Sequence, residues 1–326
     1  MKSAKKLMAS IALASLVLTG CGSEEKDVVK VGVAQIVSHT SLNEIRDSFT
    51  ERMEELGYKD GENIQISYQD ASNQSSNLNT IMADFADNEC DVIVAIATKT
   101  AQSAANFSDD IPVVFSAVSD PVAAGLVKNM EKPEGNITGT CDEIQIDQMI
   151  GLAKSIDPDL HKLGFLYDAA EANSVSNLKK AKNYCRKNGI ELIEATGKDL
   201  TELQSAIMTL IDQDVDAIFS PNDNTVASGL AALTDLTKES KIPYYVGADS
   251  MVQDGGFATV GINYTQLGRD TADMVDAILK GKSVQEIPVK VFKDHLSVYV
   301  SESYLDLLAI QLPASVLDNE NLEMMK

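Results

Sequence analysis

Tryptophan is missing from this 326-residue chain, and aromatic residues of every kind make up only 5% of it. Sugar sites usually add stacking aromatic rings, so this scarcity weighs against a sugar ligand. Basic charge is also short. Lys and Arg number 27 against 49 Asp and Glu, a net of −22, and such a surface repels nucleic acid and anionic headgroups. The three histidines, His39, His161 and His295, are far apart in sequence, and no Cys-x-x-Cys or His cluster suggests a metal. Gly-x-Ser-x-Gly, Gly-x-Gly-x-x-Gly, Walker and His-Glu-x-x-His patterns are all absent. Spacing leaves only paired carboxylates, such as Asp120 and Asp223 facing across a cleft, as acid–base equipment. The chain is read as a non-enzyme without cofactor or metal. No apolar run reaches the roughly 18–20 residues of a membrane-spanning helix.

The start of the chain sets a compartment. Lys2, Lys5 and Lys6 precede an apolar stretch from Leu7 to Leu18, the pattern of a signal peptide over residues 1–20. It ends in Leu18-Thr19-Gly20-Cys21, which resembles the bacterial lipobox, whose cysteine is acylated and becomes the new N-terminus. Cys21 is therefore expected to carry a lipid, with residues 21–27 a short polar tether to an otherwise soluble body. Taking the three leader lysines from the 27 basic residues leaves 24 against 49 acidic ones, so the body is more acidic still. Cys90, Cys141 and Cys185 then remain, an odd and widely spaced set that reads as buried small hydrophobes.

About 305 residues exceed the size at which one core keeps growing, so two domains are expected. Short β-branched runs alternate with amphipathic helical patterns. Val28–Ile36 precedes Leu42, Ile45, Phe49, Met53 and Leu56, one helix face stopped by Gly57. Val92–Ala97 and Val113–Ala117 are near-continuous apolar runs, as for parallel strands buried on both faces. After a small, polar stretch from Thr138 to Asp142, which suits a linker, the grammar restarts. Strands are expected at 163–167, 190–193, 217–220 and 244–247, with helices between them at about 201–212 and 225–239. The fold class is α/β, two doubly wound parallel-sheet lobes. One further strand–helix unit at 257–281 suggests that the chain crosses back to the first lobe. Hinge strands then fall near 139–142, 258–263 and 289–294. The division is residues 28–140 with 262–288 as the N-terminal lobe, and 141–261 with 289–326 as the C-terminal lobe.

In open α/β sheets ligands bind beyond the carboxyl ends of strands, near helix N-termini. Those positions hold Ser38, His39, Thr40 and Ser41, then Thr98, Lys99, Thr100 and Gln102, then Ser116, Ser119 and Asp120. The second half offers Asp168, Asn173 and Ser174, then Asn222, Asp223, Asn224 and Thr225, then Asp249 and Ser250. Each is also a good helix N-cap, yet six strand tops all carry polar groups where one cap per helix suffices. The set has Lys99 as its one cation and no Arg, so a phosphate or dicarboxylate fits poorly. Hydroxyls and helix N-termini suit one carboxylate and an aspartate suits one ammonium, which together describe an amino acid. Asp223 is the first choice for the ammonium, with Asp120 or Asp249 as alternatives, and Thr98, Thr100 and Ser116 face the carboxylate. A sugar or nucleoside carrier and a ligand-sensing module for a receptor remain the rival readings.

At four blocks the chain resembles a known family. Val92-Ile-Val-Ala-Ile-Ala-Thr98 with Thr100-Ala-Gln102, Pro112–Pro121, Asn173-Ser-Val175 and Pro221–Thr225 are similar to ABC-transporter substrate-binding proteins of the tryptophan/tyrosine-binding type. The resemblance runs over most of residues 28–312. It implies a type I periplasmic-binding-protein fold with three crossovers, a monomer that encloses an aromatic amino acid between lobes, and delivery to an ABC permease from the outer face of the cell membrane. Position 99 is often proline in similar sequences; Lys99 departs from that pattern and is expected to point to solvent.

Overall fold

The computed structural model describes residues 28–292 and 296–326. The leader, Cys21, the tether and His295 lie outside the described residues. The first sheet is built from β1 (Val29–Gln35), β2 (Ile64–Asp70), β3 (Val92–Ile96), β4 (Val113–Ser116) and β5 (Ile137–Cys141), all parallel, in the order β2-β1-β3-β4-β5. Between them run α1 (Thr40–Glu55), α2 (Ser75–Asp87) and α3 (Thr98–Ala104). β3 and β4 are buried at every position, so the apolar runs do lie between two helical layers. On α1, Leu42, Ile45, Phe49 and Met53 are fully buried, each contributing about 1.5–3 kcal/mol.

After β5 the chain passes to a second parallel sheet, β6 (Lys162–Tyr167), β7 (Glu191–Thr196), β8 (Ala217–Ser220) and β9 (Tyr244–Val246), in the order β7-β6-β8-β9. Its helices are α4 (Ile146–Ile156), α5 (Ala172–Asn188), α6 (Leu200–Asp212), α7 (Asn224–Ser228), α8 (Leu230–Glu239) and α9 (Asp249–Gln253). Strand β10 (Ala258–Gly261) lies beside β9, where Phe257 N–H donates to Tyr244 O at 2.8 Å. The chain then returns. Helix α10 (Tyr264–Leu279) packs along α1, so closely that a Cβ on Gly268 would stand 2.1 Å from Ser48 Oγ and 2.3 Å from Ile45 O. Strand β11 (Lys290–Val291) extends the first sheet, pairing with Thr140 and Cys141 of β5. The chain crosses once more to β12 (Ser297–Ser301), antiparallel to β10, then α11 (Glu302–Leu308) and the edge strand β13 (Leu322–Met325).

Three expectations need correcting. Residues 289–291 do not belong with the second sheet: Val289 N–H donates to Met130 O and Lys290 pairs with Asp270 of α10 at 2.6 Å, which holds them against the first. The 138–142 stretch is no linker up to Cys141 but a buried strand, whose Gly139 lets the chain approach Phe115 O where a Cβ would sit only 2.0 Å away. The helix expected over 225–239 breaks at Gly229, where a Cβ would lie 2.7 Å from the Leu200 side chain. Cys90, Cys141 and Cys185 are buried free thiols. Among the described residues no helix is long and apolar enough to cross a membrane.

Candidate functional site

Strand order reverses between β1 and β3 in one sheet and between β6 and β8 in the other, the places where chain ends diverge and leave a crevice. The two crevices face each other, and the lobes touch across them. His39 Nε2 meets Asn224 Oδ1 at 3.2 Å, Thr40 Oγ1 donates to Asp254 at 2.9 Å, and the hydroxyls of Ser41 and Ser250 are paired. Asn222 Nδ2 donates to Ser119 Oγ at 2.8 Å, and Ser176 Oγ to Asp120 at 2.7 Å. Between these contacts lies a small cavity, about 20 Å³ for the centre of a water-sized sphere, little more than one water needs, so a larger ligand requires the lobes to part.

The first-lobe wall is formed by His39, Ser41 and Leu42 at the start of α1, Ala97 and Thr98 above β3, and Ala117 and Ser119 above β4. Ala97 has φ +76° and ψ 160°, a region that L-residues rarely adopt and that costs about 1–3 kcal/mol. Its N–H donates to Ser116 O at 2.8 Å, and its carbonyl accepts from Ala101 N at 3.0 Å. That turn starts α3 at the cavity, where first-turn N–H groups have no intrahelical acceptor. Ala117, directly after β4, is also at positive φ (+55°). The second-lobe wall comprises Asn173, Asn222, Asp223, Asn224, Ala227, Ala248 and Met251.

Asp142 and Tyr264 complete the lining, and both sit where the chain passes between the lobes. Asp142 is 3% exposed. Its Oδ1 accepts from Ser119 Oγ at 2.8 Å, and its Oδ2 accepts from Tyr264 OH at 3.0 Å and from Asn222 Nδ2. Burial pushes this carboxyl up, while the hydrogen bonds from Ser119, Asn222 and Tyr264 pull it down. Its side-chain donors come from three different segments, and its own backbone N–H also favours the charged form. Asp223 is more enclosed, with no exposed surface. Its Oδ1 caps α7 through Val226 N at 3.0 Å, and its Oδ2 accepts from Asp168 N and Ser174 Oγ. Burial, and then the nearby Glu171 carboxylate, raise its pKa.

Of the sequence candidates, His39, Ser41, Thr98, Ser119, Asn173, Asn222, Asp223 and Asn224 line the cavity. The others do not. Ser38 and Thr40 line an outer groove. Thr100 is fully buried, and Gln102 donates to Ala124 O at the surface. Ser116 closes a hydroxyl triangle with Thr140 and Thr271 inside the first lobe. Ser174 and Thr225 donate to Asp223 and Asp168. Asp120 caps the following turn through Ala123 N, while Asp249, the first residue of α9, accepts only from the next backbone N–H, that of Ser250. Lys99 turns away from solvent toward Asp168 and Glu171. Sequence reasoning missed Asp142, Tyr264 and Met251; the clue available for Asp142 was an acid at the end of a presumed crossing.

Residues 30–321 match the family described as ABC transporter substrate binding protein. The chain belongs to that family. The binding protein is 35% identical over 289 residues to the tyrosine-binding protein of Clostridioides difficile strain R20291, covering 89% of this chain and 83% of that one. Its structure is similar to an ABC domain from Streptococcus pneumoniae in complex with L-Trp, with TM-score 0.86, 34% identity, and coverage of 91% and 99%. A ligand-free, open structure of a substrate-binding protein with adhesive properties from Clostridium difficile is 37% identical, with coverage of 92% and 99%, yet its TM-score is 0.70. The greater likeness to the liganded form, despite its slightly lower identity, agrees with the contacts that shut this cleft. The binding protein is not an enzyme; it serves an ABC permease on the extracytoplasmic side of the membrane.

Proposed function

We propose that this binding protein captures an aromatic L-amino acid, tyrosine or tryptophan, between its lobes and hands it to the permease. The observation that carries the reading is Asp142, a buried carboxylate at the cavity whose side-chain donors come from both lobes. Burying an ammonium unpaired costs several kcal/mol, so an acid must meet it. Asp142 is the better partner than Asp223, because its present donors are side chains from both lobes and can rearrange, whereas Asp223 is held by backbone N–H groups of its own lobe. Thr98, Ser119 and the first-turn N–H groups of α3 suit the carboxylate. Leu42, Met251 and Tyr264, with Ala97, Ala117, Ala227 and Ala248, suit a flat apolar side chain, and a methionine sulfur packs well against an aromatic edge. The ligands of the relatives in Clostridioides difficile and Streptococcus pneumoniae support the same class. Titration calorimetry with L-tyrosine, L-tryptophan and myo-inositol is the test. Binding of either amino acid with no inositol signal is expected, and the reverse outcome would move the assignment to a neutral polar ligand.

The body works as a monomer tethered by acylated Cys21. Changing Cys21→Ala should release the protein from membranes or block its processing; a mature N-terminus without lipid mass would refute the anchor.

A further inference from the structure

The geometry points to Lys99 as a latch that reaches from the first lobe into the second and holds the cleft shut over its ligand. Its ammonium lies 3.6 Å from Glu171 Oε1 and 3.8 Å from Asp168 Oδ2, and its side chain is 17% exposed. Glu171 is wholly buried and its Oε1 has no donor at hydrogen-bond distance; the Lys99 charge at 3.6 Å and the Asn173 side chain are what the carboxylate faces besides Asn224. The other oxygen, Oε2, accepts from Asn224 N at 3.2 Å and Asn224 Nδ2 at 2.8 Å. Asn224 in turn offers Oδ1 to His39 of the first lobe. Asp168 is fixed as well, accepting from Thr225 Oγ1 at 2.9 Å and Ala170 N at 2.8 Å. The receptor for the lysine is thus preorganised within the second lobe, and the latch shares Asn224 with the wall of the ligand cavity. Other well-formed ion pairs stay on one side of the cleft: Arg52 with Asp273 and Lys290 with Asp270 in the first lobe, Lys182 with Glu194 in the second.

Opening the lobes returns Lys99, Glu171 and Asp168 to water; closing them without the lysine buries two carboxylates with no cation. Such a loss costs far more than a rim ion pair and falls on dissociation. The latch therefore governs how long ligand stays, not how fast it arrives, and it rests on the proposed capture of an aromatic amino acid between closing lobes.

The test compares Lys99→Met, Lys99→Arg, Glu171→Gln and the double variant Lys99→Met/Glu171→Gln. With L-tyrosine or L-tryptophan in stopped flow, Lys99→Met should raise the dissociation rate roughly 30-fold or more, with association changed less than about threefold. Lys99→Arg should restore most of the slow release, and the double variant should lose less than the sum of its two single changes. Unchanged dissociation in Lys99→Met, or strictly additive losses, overturns the latch. A ligand-free melting temperature within a few degrees of wild type shows that the variant folds. If wild type binds neither amino acid, the ligand assignment has failed but the latch is still judged by small-angle scattering of ligand-free protein. Lys99→Met should then have a larger radius of gyration than wild type, and an equal one overturns the latch.

Discussion

The two margins of the closed cleft are built on opposite electrostatic plans. On one, the Lys99 ammonium of the first lobe sits between Asp168 and Glu171 of the second. On the other, Glu44 of α1 faces Asp249 and Asp254 of the second lobe, so like charges meet as the lobes close. Burial first, and then those two aspartates, push Glu44 up to about 7. Burial pushes Asp249 up to about 6, with Glu323 of β13 adding to it. Hydrogen bonds offset part of this, since Thr40 donates to Asp254 and Ser41 meets Ser250. Closure here is a balance. A binding protein must release what it captures, and one attractive margin set against one repulsive margin leaves the closed state favourable with ligand and reversible without it.

The largest effect should come from inverting the attractive margin. Lys99→Glu places a third carboxylate beside Asp168 and Glu171, and calorimetry should show affinity for the amino acid falling by roughly 100-fold or more. An affinity within threefold of wild type would show that this margin opens freely even in the bound state.

Neutralising the repulsive margin should act the other way. Glu44 is solvated and near its ordinary value when the lobes part and stands at about 7 when they close, so closing takes up a proton. Its raised value favours closure fully below about pH 4.5, and that advantage is lost as pH rises to about 7. Burial lowers the pKa of His39, which acts in the opposite sense: closure is favoured above about 6.5 and loses ground as pH falls below it. At pH 8 both groups have finished titrating, and Glu44 bears its full repulsion. Glu44→Gln should therefore tighten binding at pH 8 by roughly threefold to tenfold, a figure discounted because Glu44 is only half-buried, and by less at pH 5.5. Weaker binding at pH 8 would mean that the two lobes do not carry opposed charge there.

The smallest effect belongs to Thr40. Thr40→Ala removes one part-exposed hydrogen bond that softens the acidic margin, worth about 1 kcal/mol, or roughly fivefold in affinity. It should leave the ligand-free melting temperature nearly unchanged, because the bond joins the rims of two lobes and belongs to the core of neither. A large loss of fold stability instead would place Thr40 in the core of α1 rather than at its rim.

The alternation of buried runs and amphipathic faces made the two sheets and the cleft between them legible in the sequence, down to His39, Thr98, Ser119 and Asn222 at the strand tops. Asp142 was hidden because it stands in a crossing, where neither helical nor strand periodicity marks a residue as facing anything. Lys99 was read as solvent-facing because nothing local distinguishes a free lysine from one whose partners, Asp168 and Glu171, arrive from another lobe. Asp223, Asp120 and Asp249 were legible as polar strand tops, but only coordinates separate an acid spent on a backbone N–H from one open to a ligand.

The central claim is that Asp142 reads a ligand ammonium, and one calorimetric comparison addresses it directly. Wild type, Asp142→Asn and Asp223→Asn are each titrated with L-tyrosine or L-tryptophan, whichever binds more tightly, and with its deaminated analogue. Wild type should bind the amino acid roughly 30- to 5,000-fold more tightly than the analogue, and Asp142→Asn should lose most of that preference while Asp223→Asn retains it. Equal binding of analogue and amino acid by wild type, or a preference that survives in Asp142→Asn, would contradict the account.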